Sequence, residues 1–147
     1  MIDRDLVRRK LSRLNMYLDK LAPIAARTFK DYVSDFYLKF SGERLIQLIV
    51  ECASDINNHV VLELKQRPPE DYASSFIRAA EVGLISRELA DLLKGSGGMR
   101  NIIVHEYIEI DDKKVFDVLP KAISGFKKYI KQVDRFLDKV EKRKNRK

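Results

Sequence analysis

The sequence predicts an all-α antiparallel bundle, and three observations carry that reading. Apolar residues recur at alternating spacings of four and three over long stretches, as the buried stripe of a helix requires. Glycine and proline are scarce, 6 and 4 in 147 residues, which favours long helices over a turn-rich β fold. No strand-like alternation of useful length appears, and no repeat or long linker divides the chain. Residues 1–147 therefore read as one domain, large enough for its own core.

The first helix is predicted over residues 3–22. Val7, Leu11, Leu14, Leu18 and Leu21 form its stripe, and Pro23 marks its end or a kink. Thr28 opens the second, with Asp31 three residues later in a capping-box-like pattern. Phe29, Val33, Phe36 and Phe40 form its apolar stripe, and Ser41-Gly42 offers a break. A further helix follows from about Glu43 to Leu64, with Leu45, Ile49, Cys52 and Ile56 inward and His59 on the same stripe. His59 has no second His, Cys or carboxylate at metal-ligand spacing beside it, so it reads as a packed histidine with a hydrogen-bond partner.

Pro68 and Pro69 place a loop over 66–71. Asp71 is the N-cap of a short helix over Tyr72–Val82, and Gly83 fits the left-handed position that ends it. Ser86 caps a helix to about Lys94. Gly95-Ser96-Gly97-Gly98 then reads as a flexible turn before a short helix carrying Arg100, His105 and Tyr107. Asp111 or Asp112 caps the last helix, to about Val140, through Leu119, Ile123, Phe126, Ile130, Val133 and Leu137. Pro120 should either follow a separate turn or kink that helix.

Charge and cysteine narrow the function. The formal charge is +7, much of it in a basic tail from about residue 141 to 147 that reads first as a frayed, solvated helix end and otherwise as a contribution to nucleic-acid attraction. Cys52 is the single cysteine, so no intramolecular disulfide forms, and a cytoplasmic address is expected. No secretory signal is visible at the start of the sequence. No stretch approaches the about 20 apolar residues of a membrane span, so no membrane role is expected. Tyr32, Phe36, Tyr37 and Phe40 could stack RNA bases on a non-catalytic basic scaffold, but their helical spacing reads as core packing.

Chemistry concentrates in Arg100–Tyr107. Arginine binds phosphate as a planar fork, and histidine titrates near neutral pH. A neutral His105 can take the proton from a ribose 2′-hydroxyl, whose oxygen then attacks the adjacent phosphate. Arg100 can stabilise the extra negative charge. Such acid–base help contributes about 10²–10⁴-fold. The other reading is a packed or surface His105 and an ion-paired Arg100.

Geometry complicates the pair. At about 100° per residue, Arg100 and His105 lie roughly 140° apart on a straight helix, while Arg100 and Tyr107 share a line, and so do His105 and Asn101. Either the backbone leaves helical geometry near Gly98 or Tyr107, or two copies meet so that both contribute to one cleft. The apolar surface of Met99, Ile102, Ile103, Val104 and Ile108 favours the homodimer.

Arg100-x4-His105-x-Tyr107, written out as Met99-Arg100-Asn101-Ile102-Ile103-Val104-His105-Glu106-Tyr107 with an acidic stretch behind it, resembles the signature of the HepT-like branch of the HEPN superfamily. Glu43-Arg44 and Asp55-Ile56-Asn57-Asn58-His59 are similar to that family's second helix. Asp71-Tyr72, Phe76, Gly83-Leu84-Ile85 and Leu89-Ala90 resemble its middle. The resemblance implies a HEPN-like bundle and a homodimeric endoribonuclease toxin that acts without metal or cofactor. Arg100 and His105 would be the catalytic pair, with Asn101 in support. It further implies a type VII toxin–antitoxin pair in which an MntA-like nucleotidyltransferase antitoxin adds AMP to Tyr107. The alternative within the superfamily is a non-catalytic partner, or a nucleotide- or RNA-binding module, of a nucleotidyltransferase complex.

Overall fold

The computed structural model describes residues 1–105 and 109–145. Among the described residues there are six helices: α1 (Arg4–Ala25), α2 (Phe29–Ser34), α3 (Phe36–Glu63), α4 (Tyr72–Glu81), α5 (Arg87–His105) and α6 (Asp112–Asn145). All six contribute to one apolar core. The all-α bundle expected from periodicity is what forms.

The long stripes behave as read. Val7, Leu11, Leu14, Leu18 and Leu21 are buried on α1. Leu119, Phe126, Val133 and Leu137 are buried on α6, while Ile123 and Ile130 are partly covered. Arg4 and Arg8 of α1 pair with Glu141, Asp134 and Asp138 of α6 across their polar edges. Tyr129, off that four-and-three spacing, is fully buried, and its hydroxyl reaches the Ala53 carbonyl and Asn57 Oδ1 on α3. Asn57 Nδ2 donates to Ser75 Oγ on α4, which donates to the Tyr72 carbonyl. This buried relay joins α6, α3 and α4, with each polar atom satisfied in turn.

Caps also behave as read. Thr28, Asp71 and Ser86 each accept from the backbone N–H three residues on, and Asp111 accepts from Lys113 and Lys114. Gly83 has φ +82°. His59 Nε2 accepts from the Asp3 N–H at 3.0 Å, the packed role expected of it. Cys52 is buried, with its thiol pushed up chiefly by burial.

Several boundaries differ, among them the end of α6, which runs to Asn145 instead of stopping near Val140. α1 runs past Pro23 to Ala25, because Ile24 extends the buried stripe and its burial outweighs the lost proline hydrogen bond. The predicted stripe of the second helix is divided: α2 ends at Ser34, and the Asp35 carboxylate caps α3 through Tyr37 and Leu38. Val33, Phe36 and Phe40 are consequently exposed, and of the aromatic set only Tyr32 is core. α3 does not break at Ser41-Gly42. A Cβ on Gly42 would stand 3.1 Å from the Tyr32 ring, so this glycine makes room for that ring inside a continuous helix. α6 likewise passes through Pro120 without a separate turn, held by buried Leu119 and Ala122 on either side.

The largest difference is at the glycines. No turn separates Lys94 from Arg100; α5 is one helix of 19 residues to His105. A Cβ at Gly97 would lie 2.7 Å from the Ala73 backbone nitrogen and 3.0 Å from Tyr72. The glycine lets two helices approach backbone to backbone instead of loosening one of them.

Candidate active site

The close approach at Gly97 sets where Arg100 goes. One turn beyond the crossing, its guanidinium carbon lies 4.4 Å from the centre of the Tyr72 ring on α4. Nε and Nη2 both donate to Oε1 of Glu51 on α3, at 3.1 and 2.7 Å, and Nη1 donates to Asn101 Oδ1 at 3.3 Å. The Arg100 side chain is 14% exposed and that of Glu51 29%. Three of the five N–H donors of the guanidinium are thus engaged by described residues, which leaves up to two for a phosphate oxygen.

Burial pushes the Glu51 carboxyl up. Hydrogen bonds from Arg100 and Gln47, with the charges of Arg100 and Arg44, outweigh it and hold the carboxyl below the ordinary carboxylate range. Glu51 stays ionised and keeps Arg100 oriented. Sequence reading did not single out Glu51: a lone carboxylate beside an apolar stripe looks like solvated charge until α5 is laid against it.

His105 is the last residue of α5 and is exposed. Because α5 is helical from Arg87 to His105, the unwinding considered near Gly98 is absent. Arg100 and His105 therefore stand roughly 140° apart about the helix axis. Within one chain the helix does not bring them onto one face. Asn101, next to Arg100 in sequence, accepts from its Nη1 through Oδ1. Tyr107 lies outside the described residues. No helix is long and apolar enough to cross a membrane among the described residues.

The class is that of an all-α HEPN bundle with its arginine and histidine on one helix end. The fold matches the tri-AMPylated HEPN toxin of Shewanella oneidensis, solved in complex with MNT antitoxin, with a TM-score of 0.81 and 26% identity, covering 90% of this chain and 98% of that one. A tRNA nuclease HepT of Aphanizomenon flos-aquae is 32% identical over 140 residues, 95% of each chain. An mRNA nuclease HepT of Shewanella oneidensis is 32% identical over 99 residues, 67% of this chain and 74% of its own. Residues 14–133 match the family described as Ribonuclease HepT-like. The chain belongs to that family, and its activity class is RNA cleavage.

Proposed function

We propose that this chain is a metal-independent endoribonuclease toxin whose reaction runs through Arg100 and His105. The observation that carries the reading is Arg100 itself, held by Glu51, Tyr72 and Asn101 with N–H donors to spare. His105 accepts the ribose 2′-hydroxyl proton. The 2′-oxygen bonds to phosphorus as the bond to the 5′-oxygen breaks, leaving a cyclic phosphate on one fragment. The departing 5′-oxygen takes up a proton and becomes the hydroxyl of the other. Charge building on the non-bridging oxygens falls to Arg100. DNA lacks the attacking hydroxyl and is not cut.

Two copies supply one cleft in this reading. α5 presents Arg100 and His105 to different sides, and Ile102 and Leu92 on the same helix remain exposed. A two-fold arrangement lets the arginine of one copy face the histidine of the other. A cytoplasmic place of action accords with the single, buried Cys52.

Regulation is part of the same proposal. A nucleotidyltransferase antitoxin of the MntA kind transfers AMP to the Tyr107 hydroxyl, with pyrophosphate leaving ATP. The support is the Arg100-x4-His105-x-Tyr107 spacing together with the AMP-bearing, antitoxin-bound state of the Shewanella protein. The added phosphodiester charge and purine would compete with RNA for Arg100.

The deciding experiment is cleavage of RNA by purified protein with EDTA present, beside His105→Ala and Arg100→Ala. Both variants should keep their helical circular dichroism and lose cleavage. Cutting that survives either change, or that needs added magnesium, would refute the mechanism. Intact mass after co-expression with the antitoxin should rise by multiples of AMP, and Tyr107→Phe should abolish the rise at that residue.

A further inference from the structure

Three rings at the start of α3 belong neither to the core nor to the Arg100 site. Phe36, Tyr37 and Phe40 are 56%, 72% and 60% exposed. Phe36 meets the other two: the Phe36 and Tyr37 ring centres are 4.3 Å apart, and those of Phe36 and Phe40 5.9 Å. A contiguous exposed apolar cluster marks a binding surface, whereas single exposed residues need no explanation.

Register ties this cluster to the candidate active site. Tyr37, Phe40, Arg44, Gln47 and Glu51 follow one another at spacings of three and four, so they share one face of α3. At the far end of that face Glu51 holds Arg100, and Gln47 donates to the same carboxylate. Exposed Arg44 lies between, close enough that its charge helps keep Glu51 ionised. Lys39, on the same stretch of α3 as the rings, pairs with Asp112 at the start of α6. The face therefore leads from Arg100 towards the rings, with Phe40 about 16 Å along the axis from Glu51. Beside Phe40 a groove lined by Lys20, Ile24, Phe40, Ser41, Arg44 and Leu45 sets two cations over an apolar floor.

We infer that this face of α3 is the substrate track, on which a single-stranded RNA segment stacks bases on Phe36, Tyr37 and Phe40 and sets phosphates on Arg44 and Lys20 while its scissile phosphate lies at Arg100. The inference rests on the ribonuclease reading and specifies the form of its substrate. Rings at one end of the face, followed by Arg44 with Lys20 beside it and then by Arg100, offer a strand stacking surfaces for its bases and cations for its phosphates. The centre of an interface between two copies is depleted of charge, and this face is not. Paired RNA keeps its bases inside the helix, out of reach of these rings, so the track selects unpaired segments.

The test reads binding without turnover. In a His105→Ala background, anisotropy of a labelled unstructured RNA oligonucleotide is compared with that of a labelled hairpin duplex. Tyr37→Ala and Phe40→Ala should each weaken single-strand binding about ten-fold, in the range one base–aromatic stack supplies, and leave the duplex unaffected. Tyr37→Phe should bind as the parent does. Arg44→Gln should flatten the salt dependence of single-strand binding by about 0.7 in log–log slope. Light scattering on the same variants supplies the control. Ring variants that fall to half the parental mass make these rings a seam between copies and overturn the inference. Unchanged affinity at unchanged mass overturns it as well. A chain that binds through the rings yet never cuts removes the nuclease reading alone. One that cuts with no dependence on the rings removes the track alone.

Discussion

Arg100 is oriented by a single carboxylate oxygen, Glu51 Oε1, which accepts from both its Nε and its Nη2. Glu51 is distant in sequence, and only packing α5 across α3 makes it a partner. The ionisation of Glu51 has a consequence for stability. Folding lowers its pKa, so its contribution is complete above the unfolded carboxyl range, about 4.3, and is lost as pH falls through the lower folded value. Glu51→Gln should destabilise the protein by about 1–2 kcal/mol at pH 7, the size of a charge-assisted hydrogen bond in a half-covered site. Urea unfolding at pH 7 and again below pH 4 should show the gap between parent and variant narrowing in acid. A gap that stays constant would mean that the Glu51 charge contributes nothing to folding. Arg100 was legible in the sequence as a candidate by its spacing to His105 and Tyr107, but what holds it was not.

At the scale of elements, periodicity and capping chemistry located nearly every helix, since both are local. Thr28, Asp71, Ser86 and Asp111 each cap the helix they were expected to open. The failures share one cause: glycine and proline act locally in a sequence and non-locally in a fold. Gly42 and Gly97 read as breaks because nothing beside them in sequence reveals the Tyr32 ring or the α4 backbone that fills the space of their missing side chains. The aromatic run failed for a related reason, since Asp35 divides a stripe that periodicity alone would continue.

The three glycines of α5 make this testable within one helix. A Cβ at Gly95 or Gly98 would meet nothing within 4 Å, whereas one at Gly97 would meet α4 backbone at 2.7 Å. Gly95→Ala and Gly98→Ala should each raise stability by up to about 1 kcal/mol, because alanine forms helix better and nothing obstructs it. Gly97→Ala gains the same propensity but must push α4 away, for a net loss of about 1–3 kcal/mol. It should also weaken RNA cleavage, since Tyr72 under Arg100 moves with α4. Thermal melts of the three variants would decide. If Gly97→Ala stabilises as the other two do, the helices do not meet as closely as described.

At the scale of the whole molecule, the proposed reaction requires one arginine and one histidine to meet at a single phosphate. Arg100 and His105 stand roughly 140° apart on a helix that is unbroken between them, so a phosphate held by one is turned away from the other. Two-fold pairing removes the conflict if the acting pair spans two chains. Mixing Arg100→Ala protein with His105→Ala protein separates the arrangements. Each protein alone should be inactive. After subunit exchange, about half the dimers carry one chain of each kind, and in those dimers one of the two cross-chain pairs is whole. Cross-chain action then restores about a quarter of parental RNA cleavage. A pair acting within one chain restores none, because no chain in the mixture carries both residues. Recovery should rise with time of mixing as subunits exchange, and it should vanish when the two proteins are kept as covalently linked homodimers. No recovery from a mixture that mass measurement shows to have exchanged would place the whole reaction on one chain.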